Sequence, residues 1–127
     1  LPFIIHRDQF SPELVDEGLQ AGPLLLTKGI ALLVTRGAGK QSRRSLIGMD
    51  KEQRLIIAAT DSLLGGLSWV ELQEIFGSAQ WQVQTTELLN LDGGGSTQLY
   101  VKGVQLDEHI PGTTDVPVVI GFFHKAP

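Results

Sequence analysis

The sequence predicts an α+β fold: a mixed, mainly antiparallel sheet with one or two packed helices, in a single domain over residues 1–127. Three features predict it. Short apolar runs of strand length, bounded by glycine, proline and polar residues, outnumber helical patterns. Tight turns such as Lys28-Gly29 separate neighbouring runs, as antiparallel hairpins require. A single stretch, residues 68–77, carries both a strong helix start and a helix stop.

Taken in order, residues 1–5 are a short apolar, extended start. Ser11-Pro12-Glu13 then has the form of a helix N-terminus, with a capping hydroxyl, a proline in the first turn and early acids, and predicts a short helix ending near Gly18. Gln20-Ala21-Gly22-Pro23 is a turn into the strand Leu24-Leu25-Leu26, and Lys28-Gly29 reverses the chain into residues 30–34. Residues 36–44 form a polar loop. Residues 46–49 leave it as a strand, 50–53 turn, and 54–60 return. That return run is apolar on both faces, which predicts a central strand, with Asp61 at its end.

Ser68 and Glu71 have capping-box spacing, Leu67 and Leu72 fit a hydrophobic staple, and Leu72, Ile75 and Phe76 share one face up to the stop at Gly77. Residues 78–86 are ambiguous: Trp81 and Val83 alternate like a strand, and a continued helix fits equally. Residues 87–91 read as extended and lead into a glycine-rich loop. Beyond it, 97–101 and 103–106 read as a hairpin around Lys102-Gly103, 107–115 as a loop containing Pro111-Gly112, and 116–123 as a last strand.

Composition excludes several classes of function. The chain is 42% apolar and 19% charged, which suits a packed domain and argues against disorder. A net charge of −4 supplies no field for nucleic acid, and no apolar run approaches the length of a membrane span. Cysteine is absent, so disulfides, thiolate catalysis and zinc–thiolate sites are excluded. Leu1 is not an initiator methionine, which suggests a processed chain or part of a longer one.

Several motifs fail on inspection. Gly37-Ala38-Gly39-Lys40 lacks a phosphate-loop pattern, because Val34 stands where the first glycine belongs and Gln41 where Ser or Thr belongs. Arg36, Lys40, Arg43 and Arg44 can bind an anion or form a solvated loop. His6, His109 and His124 lie far apart without paired ligand spacing, so no metal ligand is assigned. Ser96 is not in a nucleophile elbow, since Gln98 replaces the second glycine.

Asn90-Leu91-Asp92-Gly93-Gly94-Gly95-Ser96-Thr97 is richer than a hairpin turn needs. It sets an acid, an amide and a hydroxyl beside three glycines, whose backbone other atoms can approach closely. A plain turn remains the alternative. Asp61 and Asp92 both follow strand-like runs, so both can open onto one edge of the sheet. A carboxylate pair is what glycosidic cleavage uses.

The same stretch resembles the signature loop of the phosphodiester glycosidases. The resemblance continues in order from residue 19 to 106. Leu19-Gln20-Ala21-Gly22-Pro23 is similar to a glutamine-glycine-proline segment, and Arg44-Ser45-Leu46-Ile47-Gly48 to an arginine-led strand. Residues 55–61 followed by Gly66-Leu67-Ser68 are similar to the strand, acid and helix that precede the loop. Two features depart from the family. No Asn-Gly-Gly-Phe-Phe-like segment is present, and Asp115-Val116-Pro117-Val118-Val119 stands where relatives carry an arginine and an asparagine.

The resemblance implies hydrolysis of a sugar-1-phosphodiester at the glycosidic bond, without a cofactor. It implies a sugar-phosphate or glycan ligand, an exported location, and a missing N-terminal segment or second chain. Asp92, ahead of Asp61, would be the acid or base. Arg44, the Gly93, Gly94, Gly95 and Ser96 amides, Asn90, Gln20 and Gly22 would hold the substrate, with the loop amides as an anion nest and Arg44 as a phosphate clamp. Two other readings stay open: a carbohydrate- or envelope-binding domain without catalysis, and a half-fold that needs an upstream complement.

Overall fold

The computed structural model describes residues 2–62, 64–80 and 83–123. Among these residues, seven strands and one α-helix follow in the order β1 (Leu24–Thr27), β2 (Ile30–Ala31), β3 (Ser45–Asp50), β4 (Leu55–Ala59), α1 (Trp69–Gly77), β5 (Thr85–Asn90), β6 (Leu99–Lys102) and β7 (Asp107–Ile110). The first five strands form one sheet in the order β2-β1-β5-β3-β4, and β6 pairs with β7 in a separate ribbon. Every pairing among these strands is antiparallel, so the α+β class is as the sequence predicts. No helix among the described residues is long and apolar enough to cross a membrane.

The hairpin at Lys28-Gly29 forms because both residues adopt positive φ, 50° and 75°, matching the twist of the strands it joins. α1 starts where the capping box puts it. Ser68 Oγ accepts from the Glu71 N–H at 3.2 Å, and Glu71 Oε2 accepts from the Ser68 N–H at 2.7 Å. The Ser68 N–H and, at 2.7 Å, the Ser68 hydroxyl both donate to Glu71 Oε2 and hold its carboxyl below its usual range, the N–H contributing most. Leu72 then joins Leu25, Leu26, Leu46 and Leu88 in the core, with Leu67, Trp69 and Phe76 packed against it. Full burial of one such leucine is worth about 1.5–3 kcal/mol. Gln73 Nε2 ties the helix to the β1–β2 hairpin through the carbonyls of Leu25, at 2.8 Å, and Leu32, at 2.7 Å.

The expected central strand is instead an edge. Among the described residues β4 pairs with β3 alone, and Ile57 is 43% exposed. The crossover decides this: α1 carries the chain past β3 and delivers β5 between β1 and β3. β5 is the less apolar run, yet Leu88 and Asn90 within it are buried because strands flank it on both sides. An apolar pattern reports affinity for burial, and topology chooses which strand receives it.

Other expectations also shift. Residues 12–17 form only a 3-10 turn at Pro12–Leu14, preceded by another at Arg7–Gln9. Ser11 makes no capping bond and Leu14 is 74% exposed, so the segment has neither a cap nor a surface to pack on. The second hairpin pairs Lys102 with Asp107 and Tyr100 with His109, so its return strand is β7 and not residues 103–106. Opposite charges and an edge-on Tyr100–His109 contact favour that register. Residues 116–123 form no strand, and Phe123 is 92% exposed. Of the ambiguous stretch 78–86, Trp81 lies outside the described residues, as does His124, and Val83 precedes β5 as irregular chain.

The β3–β4 turn is organised by Asp50, whose side chain is 3% exposed. Burial pushes its carboxyl up, but hydrogen bonds from the Arg54 backbone and side chain and from the Glu52 N–H outweigh it, and the net shift is downward. A carboxyl held below its unfolded value adds stability above the ordinary carboxylate range and loses it as pH falls through the lowered value. Acid titration of urea unfolding is therefore expected to destabilise the parent more steeply below the ordinary carboxylate range than it does Asp50→Asn. Leu88→Ala, at a fully buried core position, is expected to lower unfolding free energy by about 2–5 kcal/mol in the same assay.

Candidate functional site

The register brings the candidate residues to one end of the sheet. Leu46 of β3 is opposite Asn90 of β5, and Ser45 is opposite Ala59 of β4. The residues just outside these pairs are Arg44, Thr60-Asp61 and Leu91-Asp92. The turn before β1 joins them, because the Asn90 N–H donates to the Pro23 carbonyl at 3.0 Å. An open cleft of about 530 Å³ lies there, bordered by Gln20, Gly22, Arg44, Asn90, Asp92, Gly93 and Gly94.

Arg44 and its neighbour are not the solvated loop that the cation run allows. Arg44 is 7% exposed, and its backbone exchanges hydrogen bonds with Thr60: its N–H donates to Thr60 Oγ1 at 2.8 Å, and its carbonyl accepts from the Thr60 N–H at 2.9 Å. Nε donates to the Leu67 carbonyl at 3.0 Å and Nη2 to the Lys40 carbonyl at 2.6 Å. This leaves Nη1 without a partner among the described residues. The guanidinium lies 4.8 Å above the Trp69 ring. Burial pushes its pKa down from the ordinary value, yet a guanidinium stays charged. The Leu67 carbonyl that fixes it depends on Gly66 (φ +133°), whose backbone packs so tightly on Ser42 that a Cβ would overlap the Ser42 carbonyl.

Asn90 is buried. Its Nδ2 donates to the Gly22 carbonyl at 3.0 Å and the Leu91 carbonyl at 2.6 Å, while Oδ1 has no partner among the described residues. Asp92 is exposed, and its Oδ1 accepts from the Gly93 N–H at 2.8 Å. The loop then turns through a 3-10 segment, Gly94–Ser96.

The anion nest is where the geometry departs from expectation. Besides Gly93, the Gly94 N–H donates to the Arg43 carbonyl at 2.9 Å and the Ser96 N–H to the Gly93 carbonyl at 3.3 Å. Of these four amides, only that of Gly95 lacks an internal partner among the described residues. The glycines serve close packing instead: a Cβ on Gly93 would lie 2.7 Å from the Arg43 carbonyl oxygen. Gly95 and Ser96 do not border the cleft, and neither does Asp61, although Asp61 sits at the same sheet end. Asp92 is the single carboxylate among the described residues that border the cleft.

Four bordering residues were not assigned to the site from the sequence: Ala21 and Leu91, which lie inside the quoted motifs, and Ser42 and Trp69. Trp69 reads as the first residue of a helix. Only the fold shows that its ring lies under Arg44 and that its Nε1 is buried without a partner among the described residues. No cluster of three or more possible metal ligands occurs among the described residues.

Gly93→Ala is expected to cost about 1–3 kcal/mol in urea unfolding, because its methyl meets a backbone oxygen that cannot rotate away. Gly39→Ala, where a Cβ meets nothing within 4 Å, is expected to stay within about 0.5 kcal/mol of the parent.

A family model described as phosphodiester glycosidase matches residues 2–123. Among solved structures, a hypothetical protein from Synechocystis is similar over 61% of this chain, at 31% identity and a TM-score of 0.48. The match spans only 16% of that longer chain. No curated protein matches.

Proposed function

The chain belongs to the phosphodiester glycosidase family, and from that membership we propose that it hydrolyses a sugar-1-phosphodiester at the glycosidic bond. The observation that carries the proposal is the meeting of Arg44, Asn90 and Asp92 around one open cleft. Arg44 Nη1 faces the phosphate and takes up the charge that develops on it as the C1–O bond breaks. Asn90, tied to the Gly22 and Leu91 carbonyls, braces the turn before β1 at the edge of the cleft.

Asp92 acts as general base on the attacking water. A glycosidase with an alcohol leaving group needs a second carboxylate to protonate it. A phosphate monoester leaves as a weakly basic anion, so neutralisation by Arg44 takes the place of that proton. The lone carboxylate at the cleft is thus compatible with cleavage, and Asp61 is left without a chemical role. Export of the protein is part of the same proposal and rests on the family alone.

A second reading has one observation in its favour. Three of the four loop amides are satisfied internally, so the loop offers less to a phosphate than a nest would. A carbohydrate- or envelope-binding domain that retains an anionic glycan without cleaving it fits that geometry.

The test is release of free sugar from a hexose-1-phosphodiester by the parent, Asp92→Asn and Arg44→Lys. Turnover is expected to fall at least about 100-fold in Asp92→Asn and about tenfold or more in Arg44→Lys, which cannot reproduce the fork of donors. Turnover within twofold of the parent in both variants would falsify the assignment. Binding of the diester with no sugar released would favour the second reading.

A further inference from the structure

Arg43 is a buried cation that the proposed chemistry does not use. It is 6% exposed and does not border the cleft that Arg44 borders. Its Nη2 donates to the Pro111 carbonyl at 2.7 Å, while Nε and Nη1 are buried with no partner among the described residues. Its backbone carbonyl accepts from the Gly94 N–H at 2.9 Å and presses against Gly93.

Pro111 opens a strap, residues 111–114, that lies on the far side of the glycine loop. The N–H groups of Thr113 and Thr114 both donate to the Gly95 carbonyl, at 2.8 and 3.2 Å. The strap packs so closely that a Cβ on Gly95 would overlap Thr114 Oγ1. Arg43 therefore grips the loop twice, at Gly94 through its own backbone and at Gly95 through the strap.

Stability does not account for this arginine. A buried guanidinium with two unpartnered nitrogens is costly, and an apolar side chain of similar length would remove that cost. Such a cost is commonly retained where geometry is needed for function. We propose that Arg43 is a positioning residue, which holds the strap of residues 111–114 against the glycine loop and so fixes the direction of Asp92. Its effect on turnover rests on the glycosidase reading, whereas its effect on loop order does not.

Arg43→Met and Arg43→Lys in the full chain test this, by amide hydrogen exchange, thermal unfolding and kinetics on the hexose-1-phosphodiester. In Arg43→Met, exchange at Thr113 and Thr114 is expected to accelerate about tenfold or more, with Tm unchanged or raised. The kcat should fall while KM stays near the parent value, because the base is misdirected and the phosphate site is intact. Arg43→Lys, which keeps a donor for Pro111, should restore slow exchange and part of kcat. Unchanged exchange at both threonines in Arg43→Met would overturn the inference. So would a fall in Tm with faster exchange spread equally over β3 and β5, since that is plain loss of core. A parent without turnover removes the glycosidase reading and leaves exchange to decide positioning alone.

Discussion

The anchoring of Arg44 is the interaction on which the site depends. Its backbone closes the β3–β4 end against Thr60, Nε binds the segment that leads into α1, and Nη2 binds the loop that leads into β3. Trp69, the first residue of α1, lies beneath the guanidinium. Each hydrogen bond from a charged donor is worth about 1.5–3 kcal/mol, which is enough to offset much of the burial that lowers the arginine's pKa. Sheet, helix and polar loop are thus joined through one side chain. The same side chain stands at the cleft.

The legible part of this fold was the part set by local chemistry. The capping box at Ser68 and Glu71, the Lys28-Gly29 reversal and the glycine loop all involve residues close in sequence, and each occurs where residue type demands it. What depended on distant pairing was less legible. The edge position of β4 follows from the path through α1, which no run of residues near Leu55 encodes. The return strand β7 is mostly polar, so its pairing with β6 leaves no apolar alternation to read. At the site, the gathering of Gln20, Arg44, Asn90 and Asp92 was anticipated as a set. Asp61 fell outside because following a strand gives a sheet end and not a side-chain direction.

The glycine loop shows how a correct location can carry a different physical role. Three glycines suggest free amides, but an amide free in an unliganded loop is an unsatisfied donor, and folding tends to satisfy it. Here Gly93, Gly94 and Ser96 bond within the loop or to Arg43. Their lack of side chains lets the loop lie directly on the Arg43 backbone. The loop is better understood as a rigid mount for Asp92 than as a cradle for phosphate. A base on a fixed turn loses less orientation than one on a free loop.

In the proposed hydrolysis anion recognition then rests on Arg44, and the magnitudes allow it. A unit positive charge attracts a phosphate charge 4 Å away by about 4 kcal/mol at the effective dielectric of a protein surface. Arg44 has lost most of its water to the fold already, and its rotamer is fixed by two carbonyls and an indole ring. A ligand therefore need not supply the energy to desolvate or order it. No carboxylate pairs with Arg44 among the described residues to compete for its charge. The carbonyls that hold it are neutral acceptors, which orient the guanidinium without cancelling it. In the proposed hydrolysis, an arginine buried against carbonyls alone would leave its charge for the phosphate, and Asp92 at the same cleft would act on water.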